Sequence, residues 1–294
     1  MPIICYATGR NAGFDIVPKV PFATALIFPQ WQGAGRRIGY IAGNACLEGL
    51  LPASLSRHHI ICEETQTPLP LESGVKGLTV LTRQADQAAA IRQSLTEPVL
   101  TIGGDCAADL VSAAWVNRSD DAALIWIDGH ADLNTPDISP SGHFHGMVVR
   151  SLMGDGPASL IRHVPRPFRA DQVFYVSARD CDPAESDDIA RMQLFRLPDA
   201  AKAATLADEI ASRGIRRIYL HLDLDVLDPA IFPYVGVPAA NGLGVDELCL
   251  LLQLLRRRFS LAGAAITELN IGSDAEAIQV APSLQRILRD GFGL

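Results

Sequence analysis

One loop constrains the fold of this chain more than any other stretch. It runs from Asp128 to Gly146 and follows Ala122–Ile127, a continuous apolar run. Such a run is typical of a strand that is buried on both faces of a parallel sheet. Asp128, His130 and Asp132 open the loop at intervals of two residues, and in an extended segment these three side chains point the same way. We refer to this segment as the 128–146 loop.

The spacing of acidic residues in this loop allows two interpretations. An isolated Asp-x-His-x-Asp motif also fits a polar surface loop with a helix-capping aspartate. The alternative is a metal site, because carboxylates and an imidazole at the end of a buried strand are costly unless a cation neutralises them. Asp223 and Asp225 favour the metal site. They end a second apolar strand and are expected to share one face, where like charges repel unless a metal lies between them.

These two motifs together supply four carboxylates and one imidazole. That much negative charge suits two metal ions bridged by carboxylates better than one ion. Oxygen-rich ligands with some imidazole favour manganese over zinc. The sequence therefore predicts a metal centre formed by Asp128, His130, Asp132, Asp223 and Asp225.

Composition excludes several classes of partner and compartment. The net charge is -8 and the sequence contains no basic stripe, so nucleic acid is not an expected partner. The six cysteines form no Cys-x-x-Cys pair and no disulfide framework, which favours a reducing, cytoplasmic compartment. We also find neither a secretory signal nor an apolar stretch long enough to cross a bilayer, so no membrane partner is expected.

Strand and helix patterns alternate along most of the chain and predict an α/β fold with a mainly parallel sheet. We expect one domain over residues 1–294, with residues 1–21 as an irregular N-terminal arm. The predicted strands are Ala23–Phe28, His59–Cys62, Val99–Ile102, Ala122–Ile127, Gln172–Ala178, Leu194–Leu197, Arg217–Asp225 and Gly263–Leu269. Among the predicted helices are Ile38–Leu51, a helix capped by Thr82 and ending near Leu95, one beginning at Gly146, and Ala281–Arg289.

Polar motifs follow successive predicted strands, at the edge where open α/β sheets form their sites. In chain order they are Gly103-Gly-Asp-Cys106, Asp128-x-His-x-Asp132, Asn134-Thr-Pro, Ser141-Gly-x-x-His145-Gly146, Arg179-Asp-x-Asp182-Pro, Leu222-Asp-x-Asp-x-x-Asp-Pro229 and Glu268-x-Asn270. Their order and spacing over residues 98–272 resemble the arginase/agmatinase (ureohydrolase) family. The 128–146 loop and the Arg179 motif are more similar to arginases than to agmatinases.

The resemblance implies a three-layer α/β/α fold and a binuclear manganese centre that hydrolyses guanidino groups to urea. It also implies a homo-oligomer, a trimer or hexamer, and a small-molecule substrate, with L-arginine hydrolysed to ornithine and urea. By the same resemblance Asp132 holds the metal-activated hydroxide, Glu268 pairs with the guanidinium and His145 transfers a proton. Asn134, Ser141 and Asp182 are expected to bind the α-carboxylate and α-amino groups.

Two positions depart from the family pattern. Cys106 stands where most members have a histidine ligand, so we expect one metal to bind more weakly, or zinc, iron or cobalt to replace manganese there if the thiolate is a ligand. Val237 stands where arginases commonly carry a hydroxyl. The alternatives are therefore an altered or non-catalytic member that binds an amino-acid-like ligand with one metal or none, or a hydrolase of agmatine, guanidinobutyrate or formiminoglutamate. His143 has no assigned role, and His221 is expected to be a buried histidine with satisfied hydrogen bonds.

Overall fold

The computed structural model describes residues 22–96, 98–117, 122–197 and 202–294. The predicted N-terminal arm, residues 1–21, lies outside these residues. The described chain forms an eight-stranded sheet and a two-stranded hairpin. The strands are β1 (Thr24–Phe28), β2 (Ser56–His59), β3 (Leu71–Glu72), β4 (Val75–Lys76), β5 (Val99–Gly103), β6 (Ala122–Ile127), β7 (Val173–Val176), β8 (Phe195–Leu197), β9 (Arg217–Asp223) and β10 (Ser260–Thr267).

The large sheet is parallel throughout, in the order β2-β1-β5-β10-β9-β6-β7-β8. The chain visits the two outer parts of the sheet before β9 and β10 fill its centre. The four central strands β5, β10, β9 and β6 consequently come from distant parts of the sequence. Because they are parallel, their carboxyl ends lie along one edge, where such sheets form sites.

Helices cover both faces of this sheet. They are α1 (Arg37–Leu50), α2 (Leu78–Arg92), α3 (Leu110–Val116), α4 (Val148–Leu152), α5 (Ala158–Ile161), α6 (Pro183–Arg191), α7 (Ala203–Ser212), α8 (Val245–Arg258) and α9 (Asp274–Arg286). One apolar core joins the sheet to α1, α7, α8 and α9, and a second joins the opposite face to α2–α6. The three-layer α/β/α fold predicted from the sequence is confirmed.

Several predicted boundaries were wrong. The second strand ends at His59, where we expected it to begin, and Thr82 lies inside α2 because that helix starts after Gly77, whose backbone is left-handed. The helix that we expected to begin at Gly146 does not begin there. Gly146 lies in a single 3₁₀ turn, Phe144–Met147, which precedes α4. The last helix begins at Asp274, with Ser273 accepting a hydrogen bond from the Glu276 N–H as its N-cap.

None of the helices in the described ranges combines the length and the apolar character that crossing a membrane requires.

Two glycines of α1 differ in the space available for a Cβ atom, so we expect their replacement by alanine to have opposite effects on stability. A Cβ at Gly43 would lie 1.9 Å from the Leu269 carbonyl oxygen, whereas a Cβ at Gly49 would meet nothing within 4 Å. Gly49→Ala should raise the free energy of unfolding by about 0.5–1 kcal/mol, because alanine loses less backbone entropy in a helix. Gly43→Ala should lower it by about 1–3 kcal/mol through overpacking. Urea denaturation of both variants tests the pair, and a stabilised Gly43→Ala protein would contradict the close contact of α1 with the strand end.

Candidate metal centre and substrate cleft

A cleft of about 340 Å³ opens at the carboxyl ends of the four central strands. Each of these strands ends beside a chemically active residue: Cys106 follows β5, Asp128 follows β6, Asp223 ends β9 and Glu268 follows β10. Parallel topology therefore places side chains that are far apart in sequence around one small volume. The size suits a small molecule.

The first part of the 128–146 loop is bent, so the expectation of an extended segment was wrong. The His130 main-chain N–H turns back to donate to Asp128 Oδ1 at 2.6 Å, and Asp132 has a left-handed backbone with φ +49°. The chain also passes very close to a neighbouring segment at Gly129, where a Cβ would lie 2.9 Å from that of Ala239. Asp128, His130 and Asp132 are thus brought together by a tight turn instead of by strand alternation.

The second acidic pair also differs from its predicted geometry. β9 ends at Asp223, and Asp225 lies in a 3₁₀ turn whose N–H donates to Asp223 Oδ1 at 2.7 Å. The two carboxylates therefore do not share a strand face. Both nevertheless line the cleft with His130 and Asp132.

Four of the five predicted ligands, all except Asp132, belong to groups of donor atoms that overlap at Asp128 and at Cys106. In three groups, all donor atoms lie within 4.8 Å of one another: Asp128, His130 and Asp225; Cys106, Asp223 and Glu268; and Cys106, Asp128 and His221. Within the first group, His130 Nδ1 lies 2.9 Å from Asp225 Oδ2. Asp128 Oδ2 additionally accepts a hydrogen bond from Trp126 Nε1 at 2.8 Å. Two adjacent ions can share such a set of donors.

Burial and mutual repulsion dominate the electrostatics of this centre. Burial, followed by the neighbouring carboxylates, raises the pKa of Asp223 and of Asp132 well above the usual range, and the pKa of Asp128 is raised by the same causes. Asp132 Oδ2 is buried and has no hydrogen-bond partner within the described residues. A divalent cation removes both penalties, since its charge favours the ionised carboxylates and an oxygen donor aimed at it is satisfied. These residues therefore fit a metal centre.

Glu268 is held in place from three directions. Tyr40 OH donates to Oε2 in a short hydrogen bond, and the Cys106 N–H donates to Oε1 at 3.1 Å. His145 Nδ1 lies 3.2 Å from Oε1. Although burial raises the pKa of Glu268, these partners outweigh burial and lower it below its usual value, so the side chain is a fixed carboxylate. Its left-handed backbone, φ +68°, is a strained conformation of the kind found at functional sites.

The two cleft histidines are in opposite electrostatic environments. For His145, burial lowers the pKa, but the Glu268 carboxylate outweighs it and the net shift is upward. For His143, burial and then the positive charges of Lys76, His145 and Arg36 lower the pKa to about 4. His145 can therefore carry a proton near neutral pH, while His143 is neutral.

The outer part of the cleft contains the residues predicted to bind a substrate head group. Asn134 is buried and donates through Nδ2 to Asp182 Oδ2 at 3.0 Å, while its Oδ1 has no partner within the described chain segments. Glu185 joins the two loops by accepting from the N–H groups of Leu133 and Asp182 at 2.8 and 2.9 Å. Ser141 is exposed at the cleft margin. All three residues therefore line the cleft, and Asn134 contacts Asp182; we refer to Asn134, Ser141 and Asp182 as the polar wall.

Several residues around the cleft were missed at the sequence level. Tyr40 comes from α1, and no local motif marks it. Arg179 was noted only as part of a motif. Its guanidinium donates to the carbonyl oxygens of Asp225, Ala239 and Ala240 and thereby holds these two chain segments together. Asp109 is buried three residues after Cys106. Its spacing of three residues from Cys106, which places both on one side of a helical turn, is the sequence signal that could have identified it.

Sequence comparison decides the family. The sequence model of the arginase family matches residues 52–290, most of the chain. The chain belongs to the arginase family.

Individual relatives agree with this membership. The arginase of Staphylococcus aureus strain COL is 28% identical over 223 residues, which is 69% of this chain and 74% of that protein. The arginase of Brevibacillus brevis is 34% identical over 188 residues, 60% of this chain and 63% of that protein. The native structure of arginase from Bacillus caldovelox superposes with a TM-score of 0.80 at 21% identity, covering 92% of this chain and 98% of that one.

Membership of the arginase family makes this protein a hydrolase of linear amidine C–N bonds. Enzymes of the family depend on a binuclear metal centre, typically manganese, and act on a small-molecule substrate. The carboxylate-rich donor set at the strand ends is consistent with such a centre.

Metal binding should stabilise this protein strongly, because it neutralises buried carboxylates that repel one another. With free metal at 100 times its dissociation constant, the free energy of unfolding should rise by about 2.7 kcal/mol per independent site. Denaturation with manganese and with a chelator measures the difference. Asp128→Asn should reduce it, whereas Asp155→Asn, which removes a charge paired with Arg150 outside the cleft, should not. Identical unfolding curves with and without metal would contradict a metal centre here.

Proposed function

We propose that this arginase-family enzyme hydrolyses L-arginine to ornithine and urea. The observation that carries the proposal is the arrangement of the cleft. A buried, fixed carboxylate, Glu268, has a donor atom within 4.8 Å of those of Cys106 and Asp223, and Asn134, Ser141 and Asp182 line the same cleft. An arginine has a guanidinium at one end and charged amino-acid groups at the other, and it matches both ends.

The inner end supplies the groups that hydrolysis needs. Asp128, His130, Asp132, Asp223 and Asp225 are the proposed metal ligands, with Cys106 considered below. Two divalent ions held by these residues would lower the pKa of water, so that hydroxide would be available near neutral pH. Asp132 has a buried oxygen with no hydrogen-bond partner in the described part of the chain, and it is the group we assign to hold and orient that nucleophile.

Glu268 is the proposed guanidinium-binding residue. The Cys106 N–H and His145 contact Oε1, and Tyr40 contacts Oε2, which leaves a lone pair on Oε2 for an N–H donor of the substrate. Because the carboxylate is already fixed, little side-chain entropy is lost when the guanidinium binds. Glu268 thereby holds the guanidinium carbon next to the nucleophile.

His145 is the proposed proton-transfer residue. Attack of the nucleophile forms a C–O bond, and the C–N bond to the ornithine side chain then breaks, so the departing nitrogen needs a proton. The side chain of His145 lies at the cleft surface with 20% of its area exposed, and Glu268 raises its pKa. It can accept a proton from solvent and deliver it to the leaving amine.

The head-group wall accounts for the preference for an amino acid. Asp182 is a carboxylate beside Asn134, and an α-ammonium group is its complementary partner. One N–H of the Asn134 amide donates to Asp182, so the second remains for the α-carboxylate, together with the Ser141 hydroxyl. We propose manganese for the oxygen-rich ligands. A cytoplasmic location is our expectation from the cysteine pattern, and a homo-oligomer is our expectation from the family resemblance.

Val237 favours a second candidate within the same chemistry. It lines the cleft with an apolar side chain at the position where we noted a hydroxyl in arginases. A shorter or differently substituted guanidino or formimino compound is the alternative substrate. Among related folds, proclavaminate amidino hydrolase from Streptomyces clavuligerus superposes with a TM-score of 0.69 at 18% identity over 94% of this chain and 92% of that one.

Urea release from arginine and from agmatine tests the substrate. Agmatine has no carboxylate for Asn134 and Ser141 and no α-ammonium for Asp182, so its kcat/KM should be about 10²-fold lower. Asp182→Asn should reduce activity on arginine and leave activity on agmatine nearly unchanged. Asp187→Asn removes an exposed charge from the same helix, α6, and should change neither. Equal rates on both compounds, or faster hydrolysis of agmatine, would contradict amino-acid recognition by this wall.

His145→Asn tests the proton-transfer role. The variant should lower kcat by about 10²–10⁴-fold with little change in KM, because general acid catalysis acts on the transition state. His163→Asn is the control, since His163 pairs with Asp86 outside the cleft. If His145→Asn retained the kcat of the unmodified enzyme, another group would have to transfer the proton.

A further inference from the structure

A second polar cluster lies directly beneath the metal-ligand cluster, on the face of the sheet covered by α3. Its members are Cys106, Asp109 and His221, and each is at most 1% exposed. His221 precedes Asp223 by two residues on β9, so both side chains point to the same face. The sheet register pairs His221 with Trp126, and the rings stack with centroids 3.4 Å apart and planes 3° apart.

Asp109 determines which nitrogen of His221 is available. Its Oδ2 lies 2.8 Å from His221 Nδ1, and its Oδ1 accepts a short hydrogen bond from Tyr219 OH. In the neutral imidazole whose Nδ1–H donates to this carboxylate, Nε2 is the nitrogen with the lone pair. The two neighbours of Nε2 are Cys106 Sγ and Thr267 Oγ1, both at 3.4 Å.

This lone pair is directed into the proposed metal centre. The donor atoms of His221, Cys106 and Asp128 all lie within 4.8 Å of one another, as three ligands of one ion must. Cys106 Sγ also lies 3.1 Å from Asp223 Oδ2, which connects the group to the carboxylates. Asp132 Oδ2, which is buried without a hydrogen-bond partner among the described residues, independently supports a cation site in the same region.

We propose that His221 is a metal ligand, and that its Nε2, the Cys106 thiolate and the Asp128 carboxylate hold one of the two divalent ions. Asp109 is a positioning residue that fixes the tautomer and the orientation of the imidazole, as carboxylates do for many metal-bound histidines. His221 on β9 thus supplies the imidazole that position 106 lacks. This mixed set of sulfur, nitrogen and oxygen donors favours zinc or cobalt over manganese.

The same three residues also resemble a nucleophilic Cys-His-Asp triad. Burial argues against that alternative, because Cys106 is 1% exposed and does not line the cleft. A substrate carbon cannot reach Sγ without displacing the strand ends. The triad is therefore an outcome that the experiment below distinguishes from metal binding.

Cobalt spectroscopy tests the proposal first on the unmodified chain, and two cysteine variants then assign the spectrum. The unmodified chain loaded with cobalt should show a thiolate-to-cobalt charge-transfer band in the near ultraviolet and bind two ions per chain. Cys106→Ser should lose the band, whereas Cys249→Ser, at a buried thiol whose neighbour is the Arg286 carbonyl, should keep it. A spectrum without the band in the unmodified protein would overturn the proposal.

Metal stoichiometry tests the histidine separately. His221→Asn should bind about one ion per chain, and Asp109→Asn should bind the second ion about 10–100-fold more weakly. His163→Asn, which disrupts a histidine–aspartate pair outside the cleft, should keep two. Cys106→His should shift the preference towards manganese. If His221→Asn bound both ions with unchanged affinity, His221 would not be a ligand. If Cys106 proved reactive towards thiol reagents in the metal-loaded protein, its thiolate would not be bound to the metal and the proposal would likewise fail.

The inference rests on the metal centre proposed above, but its readouts are spectra and metal content. A protein that shows the thiolate band and the loss of one ion in His221→Asn, yet releases no urea from arginine, would contradict the proposed substrate and retain this metal site. A protein that hydrolyses arginine and binds both ions independently of His221 would contradict this metal site and retain the proposed substrate.

Discussion

The structure depends on the burial of several carboxylates at the ends of strands that are themselves buried. Asp128, Asp132, Asp223 and Asp225 are at most 5% exposed, and donor atoms of Asp128 and Asp225 lie within 4.8 Å of each other, while Asp132, Asp223 and Asp225 line the same cleft. Such a group is unfavourable by itself, since burial and repulsion both favour neutral acids. The fold tolerates it where backbone N–H groups and His130 compensate in part, and where a divalent cation can supply the remaining charge.

The parallel sheet makes this arrangement possible because its strands form a rigid framework, whereas the loops at the strand ends carry the reactive side chains. The central strands are apolar on both faces and are held by two cores, so their ends are fixed in position. The loops that follow are then free to bend, as at Asp132 and Glu268, where left-handed backbones orient the side chains. The same register that stacks His221 on Trp126 places the imidazole below the cleft. Packing in the core and the geometry of the site are therefore coupled through β6 and β9.

Local patterns were sufficient for part of the site. The strands before Asp128 and Asp223 were predicted because each is a run of apolar residues, and the chemistry of the motifs followed from the residue types at their ends. The side-chain directions were predicted incorrectly for both acidic motifs, because strand alternation ends where the chain turns. Tyr40 and Asp109 were missed, since their importance arises only from contacts with residues 228 and 112 positions away in the sequence.

The sequence by itself determined the α/β class, the central strands and the identity of the residues that follow them, because hydrophobic periodicity and short motifs are local properties. Only the tertiary structure decided the strand order, which places β9 and β10 between β5 and β6. It also decided that Asp109 contacts His221 Nδ1, and that His221 Nε2 lies beside Cys106. These relations depend on which distant segments pair across the sheet, and that pairing is set by the packing of the whole core, which no single stretch of sequence encodes.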